Sequence, residues 1–357
     1  MERINHLPQW REHFVTELNQ AGMIRRFEAK VSEQQTGEIW LPTTISEPKK
    51  HNCYVLSPST LILDYAVDEL PKLPRVQQWL SRALLKLVAT PLKWGKVDKL
   101  QVLNNHCLST NMYPDAWEDA DIKAIEQQAL ARAPEHALMF RSVNPTQSPQ
   151  LSAALRKANW LPIVTRQVYV LSPGSKRGTD FTNDSRLARE PGWRYSRLET
   201  PAEFERAQRL YDLLYLDKYS EHNIQYTAQF MARMQQLGMM TFMGLYKHDE
   251  LCAVSGFVVH DNVMTSPIFG LDTTWPQSEQ LYRRMSWYTL DFAHRHQLSF
   301  NLSSGAPKYK RSRHAKPCLE CSFVAVAHLP AHQRAVWKAL SVLTQRFYAP
   351  MLEENQL

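Results

Sequence analysis

The sequence predicts an α/β (α+β) protein of two units, each a central mixed, mostly antiparallel sheet flanked by helices. Three observations carry this. Strand-like segments follow one another at 241–246, 251–259 and 263–271, joined by polar tips at His248-Asp249 and His260-Asp261-Asn262, as an antiparallel meander requires. Segments with 3.6-residue apolar periodicity alternate with the other strand candidates. The order strands, long helix, short strand, closing strand occurs once in each half of the 357 residues, around a stretch at 172–192 that is poor in large apolar residues. The halves share element order without visible sequence identity. The expected division is an extension over 1–50 that begins with a helix, a first unit over 51–171, a linker over 172–192 and a second unit over 193–357.

In chain order, a helix is expected from Trp10 to Ala21, followed by polar sequence with loops at Gln34 to Gly37 and Pro48 to Lys50. Residues 54–65 read as two short strands around Ser57-Pro58-Ser59. Residues 75–90 form a periodic helix with Trp79, Leu80, Ala83, Leu84, Leu87 and Val88 on one stripe and Arg75, Arg82 and Lys86 elsewhere. Such a basic amphipathic helix could lie on an anionic membrane, but covering one face of a sheet is the commoner origin of the pattern. A strand at 100–105 leads to a helix opened by Asp115 or Asp119 and ending near Arg132. A strand at 136–143, a helix started by Ser148-Pro149 and a strand at 167–171 complete the first unit. In the second, helices at 201–217 and 227–237 precede the meander. A long helix from Ser278 to Ala293, a short strand at 298–302, a basic loop from Gly305 to Lys316, a strand at 321–326 and a helix at 333–347 follow.

Composition sets bounds on function. Hydrophobic residues are 44% and charged residues 22%, enough apolar material for two cores. No apolar run approaches the ~18 residues of a membrane span, and the first residues, Met1 to His6, lack the apolar region of a secretory leader. Five scattered cysteines (Cys53, Cys107, Cys252, Cys318, Cys321) fit a reducing, cytoplasmic setting better than a disulfide framework. Cys318 and Cys321 have metal-ligand spacing, but a structural zinc site needs four ligands and no second pair exists, so no metal is expected. The net charge of +7 fits nucleic acid, an anionic membrane surface or a phosphate-bearing carrier as partner, and equally a moderately basic enzyme whose charge has no specific role.

The second half resembles the GCN5-related N-acetyltransferase (GNAT) superfamily, and within it the tandem-domain branch of Fem-type aminoacyl and acyl transferases. The resemblance rests on helix, helix, meander, long helix, strand, loop, strand, and on two local features. One is Ser303-Ser304-Gly305-Ala306-Pro307-Lys308-Tyr309-Lys310 after the short strand. The other is Gly270-Leu271-Asp272 before a helix carrying Trp287, Tyr288 and Phe292. It covers about 195–327, and reaches 50–171 by architecture alone. It implies two GNAT-like domains, the second catalytic, and transfer of an acyl or aminoacyl group from an activated carrier to an amine. The usual glycine-rich pyrophosphate loop is missing: residues 273–279 read Thr-Thr-Trp-Pro-Gln-Ser-Glu. That disfavours acyl-CoA, acetyl-CoA included, as donor, because close backbone approach to a pyrophosphate needs glycine. Aminoacyl-tRNA, which Fem-type enzymes use, or an acyl-carrier protein thioester is preferred. No tightly bound cofactor is expected.

Acyl transfer needs a neutral amine, a polarised carbonyl and a stabilised oxyanion. With the family motif as guide, Lys310 is the candidate for the last two. Tyr309 would donate a proton to the leaving group and Asp272 would orient the amine. Gly305 marks the motif turn. Lys308, Arg311 and Arg313, in a run without acidic residues, would hold donor phosphates. In the superfamily the loop after the first helix borders the acceptor, which makes Tyr219 and Ser220 substrate-contact candidates. The competing reading is a non-catalytic binding module on the same scaffold, favoured if Lys310 and Tyr309 point away from any cleft.

Overall fold

A computed structural model describes residues 7–355 apart from 38, 50–51, 65–66, 69–74, 114–116 and 118–119. The first half supplies strands β2 (Lys30–Thr36), β3 (Ile39–Ser46), β4 (Leu100–Leu103), β5 (Ala137–Val143) and β6 (Leu161–Leu171). The second supplies β7 (Trp193–Arg197), β9 (Thr241–Lys247), β10 (Glu250–His260), β11 (Val263–Leu271), β12 (Ser299–Asn301) and β13 (Lys316–Ala325). A two-stranded ribbon, β1 (Ile24–Arg25) with β8 (Gln225–Tyr226), ties the start of the chain to the second half. The helices are α1 (Leu7–Leu18), α2 (Arg75–Trp94), α3 (Ile122–Arg132), α4 (Pro149–Lys157), α5 (Thr179–Ala188), α6 (Pro201–Tyr211), α7 (Ala228–Gln236), α8 (Leu281–Arg295), α9 (Pro307–Ser312), α10 (Ala331–Leu343) and α11 (Ala349–Asn355).

All strands but β1 and β8 form one eleven-stranded sheet in the order β2-β3-β4-β5-β13-β6-β12-β11-β10-β9-β7. The pairings are antiparallel except β4 with β5 and β11 with β12, each parallel pair bridged by a helix, α3 and α8. The expected class therefore holds: a mixed, mostly antiparallel sheet flanked by helices. The two halves are topological copies with their closing strands exchanged. β13, which ends the second half, pairs with β5 of the first (Phe323 opposite Phe140), while β6, which ends the first, pairs with β12 of the second (Phe300 opposite Leu171). The exchanged strands pair with each other from Lys316–Val170 to Val324–Leu161. β5 can sit centrally because every residue of it is buried: Ala137 and Met139 face one core, Leu138 and Phe140 the other.

Each half of the sheet is covered on both faces. In the first half, α3 and α4 close one core, with Trp117, Ile125, Leu155 and Trp160; α2 and α10 close the opposite one, with Leu92, Trp337 and Leu340. In the second, α1, α6 and α7 cover one face and α5 and α8 the other. Glycine 270 lets α6 lie against β11, since a Cβ there would meet the backbone of Leu210 and Tyr211 at 2.7 and 2.6 Å.

Several expectations are corrected. Residues 1–50 carry three strands after α1 and do not form a separate extension. Residues 54–65 are not strands: Asp98 accepts from the Ser57 hydroxyl (2.9 Å) and the Ser59 amide (2.9 Å), capturing the Ser-Pro-Ser segment as a turn that continues into a π-helical turn at Thr60–Asp64. The linker range 172–192 contains α5, whose Phe181, Asp184 and Ala188 are buried. The basic loop at 305–316 contains α9. The halves do not keep separate cores, because one cluster joins Val31, Cys53, Leu56 and Leu108 to Phe204, Phe230, Phe242 and Ile268, and α10 packs in the first half's core. Asp115 and Asp119 lie outside the described residues; Asp121 caps α3 by accepting from the Ala124 amide at 3.0 Å. The α2 stripe splits: Val88 and Leu92 turn inward, Trp79 and Leu87 outward.

Candidate functional site

The site begins with a break in the sheet. β11 and β12 pair only from Val263–Ser299 to Thr265–Asn301. Beyond a bulge at Ser266 and Pro267, Ile268–Leu271 remain paired with β10 on one side, and among the described residues no strand pairs with their other edge. The chain leaving β12 turns away through three left-handed residues, Ser303 (φ 60°), Gly305 (φ 80°) and Ala306 (φ 48°). Glycine fits such a conformation without strain, whereas serine and alanine occupy it only where surrounding bonds impose it. Pro307, at the first position of α9, then restarts a helix.

Lys310 imposes that turn. Its side chain is buried, and its ammonium donates to the carbonyls of Leu302 (2.6 Å), Ser303 (3.1 Å) and Ser304 (2.8 Å), with the Tyr169 ring 5.7 Å away. Three hydrogens thus meet three acceptors. Burial, with the Arg166 guanidinium nearby, lowers its pKa to about 7. The three carbonyls oppose that shift, since they favour the charged form. The sequence places this ammonium in an open cleft; the structure places it under the turn.

Tyr309 faces the other way. Its hydroxyl donates to Asp184 of α5 (3.2 Å), and the Arg313 guanidinium lies 3.8 Å from its ring. Burial, then the Asp184 charge, pushes its pKa well above that of free tyrosine. Asp184, fully buried, also receives Arg313 (Nε, 2.8 Å) and Arg283 from the first turn of α8 (Nε, 2.7 Å). One carboxylate therefore holds two guanidinium groups and a phenol, and it pins α5, α8 and α9 together. Rings of Phe269, Tyr282 and Tyr309, with centroids 5.5 and 5.1 Å apart in sequence, bridge β11 to α9 across the opening. Burial raises Tyr282 to about 12, and the exposed Tyr219 is near enough to add to that rise.

The remaining candidates divide. Tyr219 borders the opening, whereas Ser220 is buried behind it, donating to Asp68 and accepting from the His222 amide at 3.1 Å. Asp272 is spoken for: it accepts from Arg206 (2.5 Å) and from the amide (2.9 Å) and hydroxyl (2.6 Å) of Thr274. Burial pushes its pKa up, but those bonds outweigh it and hold the carboxyl below its usual value. Asp272 thereby shapes the turn 272–280, in which Trp275 packs beside Trp193. Lys308 is exposed; Arg311 lines a separate surface cavity of about 330 Å³ with Gln167, Pro317, Cys318, Leu319 and Glu353. Among the described residues no three or more His, Cys, Asp or Glu side chains converge as metal ligands.

Sequence reasoning missed Asp184, Arg283 and Arg166. Arg166 joins the halves: it donates to Glu320 (2.7 Å), to the Ser303 hydroxyl (3.0 Å), and to the Ser109 carbonyl (2.9 Å) and Thr110 hydroxyl (2.8 Å). It braces the same turn that Lys310 fills. The one available signal for Asp184 was its place in a segment with helical spacing of Phe181, Asp184 and Ala188.

No protein-family model matches the chain and no curated protein matches it. Solved structures resemble it in chain path. A C-terminal domain (DUF2156) assigned to a lysylphosphatidylglycerol synthetase of Agrobacterium fabrum is 13% identical, with 68% of this chain and 82% of that one covered at a TM-score of 0.46. FemX is 8% identical over 63% and 80%, at 0.46. A tandem GNAT protein from the clavulanic acid biosynthesis pathway is 11% identical over 63% and 74%, at 0.36. The tandem arrangement itself is read from the strand order.

Proposed function

We propose that this chain is a transferase that moves an acyl or aminoacyl group from an activated carrier to an amine. The observation that carries the proposal is the opening where β11 parts from β12 in the middle of the sheet. An unpaired strand edge there offers backbone donors and acceptors to an extended, amide-bearing donor, as an added strand would use them. Exposed Lys308 supplies positive charge beside it for a phosphate-rich carrier, whereas Arg283 and Arg313 are balanced by Asp184 and Asp180. With no glycine in 273–279, the preferred donor is aminoacyl-tRNA or a carrier-protein thioester, ahead of acyl-CoA. In this reading Lys310 supplies positive charge from beneath the turn that borders the opening, and Asp184 sets the two arginines.

The second reading, a binding module without chemistry, is favoured by one observation: Lys310, Tyr309 and Asp272 all spend their polar atoms on structural bonds. Incubating the purified chain with labelled aminoacyl-tRNA, acyl-carrier protein or acyl-CoA and a panel of amines separates the two. Amine-dependent release of the free carrier, with the label in an amide product, is expected with one of the first two donors. Saturable binding without release of any carrier would establish the binding module instead.

A further inference from the structure

A second surface lies on the first half, away from the opening. Helices α2 and α10 cover the same core, and they meet where Trp94 packs on His332 (ring centroids 4.9 Å) and Gly95 comes against Val336. A helix that covers a core needs one apolar face; α2 has a second. On α2, Trp79 (71% exposed), Leu87 (73%) and Trp94 (59%) recur at intervals of eight and seven, which places them on one stripe. The run of helix from α10 to α11 also exposes Leu343, Phe347 and Met351, but its end crosses to the opposite core, where Ala349 and Leu352 pack, so α2 carries the stripe on this side. Solvent gains nothing from two tryptophans and a leucine held outward on one helix.

The charges beside the stripe say what covers it. α2 has no acidic residue in twenty positions, and its Arg75, Arg82, Lys86 and Lys93 are all exposed. Arg82, Lys86 and Lys93 each sit close to the apolar stripe around the helix. A second copy of this chain joined by a two-fold axis across α2 would set four cations against four. An apolar stripe with indole rings and a cationic border matches instead the boundary between acyl chains and anionic headgroups. Among the described residues no helix is long and apolar enough to cross a membrane, so the contact is in the interfacial plane.

We propose that α2 forms a face that docks this protein onto anionic bilayers, with Trp79 and Leu87 inserted at the headgroup level. The test is co-sedimentation of the full chain with vesicles of phosphatidylcholine alone and with ~30% phosphatidylglycerol, at low and at 0.5 M salt. Affinity for the anionic vesicles is expected to exceed that for the neutral ones by at least about tenfold. Trp79→Ser/Leu87→Ser, exposed positions whose change leaves the melting temperature in place, is expected to lower it by about tenfold, as Arg82→Glu/Lys86→Glu does. No difference between the two vesicle types overturns the proposal. So does full retention of binding by the Trp79→Ser/Leu87→Ser variant, which would make the surface merely cationic. Light scattering that shows a dimer dissolved by Leu87→Ser, without vesicle binding, would assign the face to a second copy.

Discussion

Replacing Lys310 with methionine separates its two possible roles. The substitution keeps the stem and removes the ammonium, so three carbonyls lose charge-assisted bonds. Each such bond contributes about 1.5–3 kcal/mol, and several kcal/mol of that sum is offset because a buried charge is no longer desolvated. Ser304 is exposed and its carbonyl can recruit water. The expected net loss is about 2–3 kcal/mol, seen as a fall of about 3–4 °C in melting temperature for a chain of this length. Lys316→Met, at an exposed position, should stay within ~0.5 kcal/mol of the parent. The pH dependence has a fixed sign. With a folded pKa of about 7, below that of an unfolded lysine, the native state sheds a proton that the unfolded state keeps between about pH 7 and 10. The destabilisation from burying the charge is complete below pH 7 and is relieved as pH rises through that window. Chemical denaturation of the parent relative to Lys310→Met should therefore show stability rising with pH above 7, by at most ~1.4 kcal/mol per unit. A flat difference would mean that the carbonyls keep the ammonium charged. An unchanged melting temperature would refute the bracing of the turn. If turnover, measured where the variant is still folded, falls by about 10²- to 10³-fold, the charge also serves the oxyanion; if turnover is intact, it serves the turn alone.

Two further outcomes follow from the buried charges and the glycine-free turn. Asp184→Asn leaves buried Arg313 only its longer contact to Asp180 (3.4 Å) and should cost about 3 kcal/mol by chemical denaturation, with much of the loss recovered in Asp184→Leu/Arg313→Met; a stable single variant would show that Asp184 is not the hub. Calorimetry with acetyl-CoA should give weak binding, and a dissociation constant of about 1 μM or below would show that the turn 272–280 accommodates a pyrophosphate after all.

The second half was legible in the sequence because its signals are local and strong. The meander at 241–271 is three apolar runs bounded by polar tips, and α8 repeats its apolar residues with helical spacing. Pro149 marked the start of α4, although Ser148 makes no cap bond with its side chain. β2 escapes the sequence, which marks Gln34 to Gly37 as a loop, because it is an edge strand of polar residues, Lys-Val-Ser-Glu-Gln-Gln-Thr, in which only Val31 and Gln34 are buried. The apolar, β-branched run at 54–65 looked like strands because nothing local discloses that Asp98, some forty residues on, captures Ser57 and Ser59. Pro307 is a helix-start signal that the density of basic residues concealed. At the site, motif spacing located Lys310 and Tyr309 in the right turn, but it could not say that one points to carbonyls and the other to Asp184, which lies 125 residues away.

Strand exchange is the feature least accessible to sequence, and it explains where the opening sits. A half that kept its own closing strand would place β13 beside β12, only a short connection away. Here β6 takes that position, and the connection from β12 to β13 must instead cross β6 to reach β5. The tight left-handed turn at 303–306 and α9 span that crossing, and Lys310 and Arg166 fasten the turn from within. Arg166 belongs to β6 and its partner Glu320 to β13, so both exchanged strands converge on the same turn. The opening at β11 is therefore bordered by a segment held by both halves of the chain. A rigid border of this kind positions reacting groups better than a free loop would, and it makes the integrity of the first half a condition for any chemistry in the second.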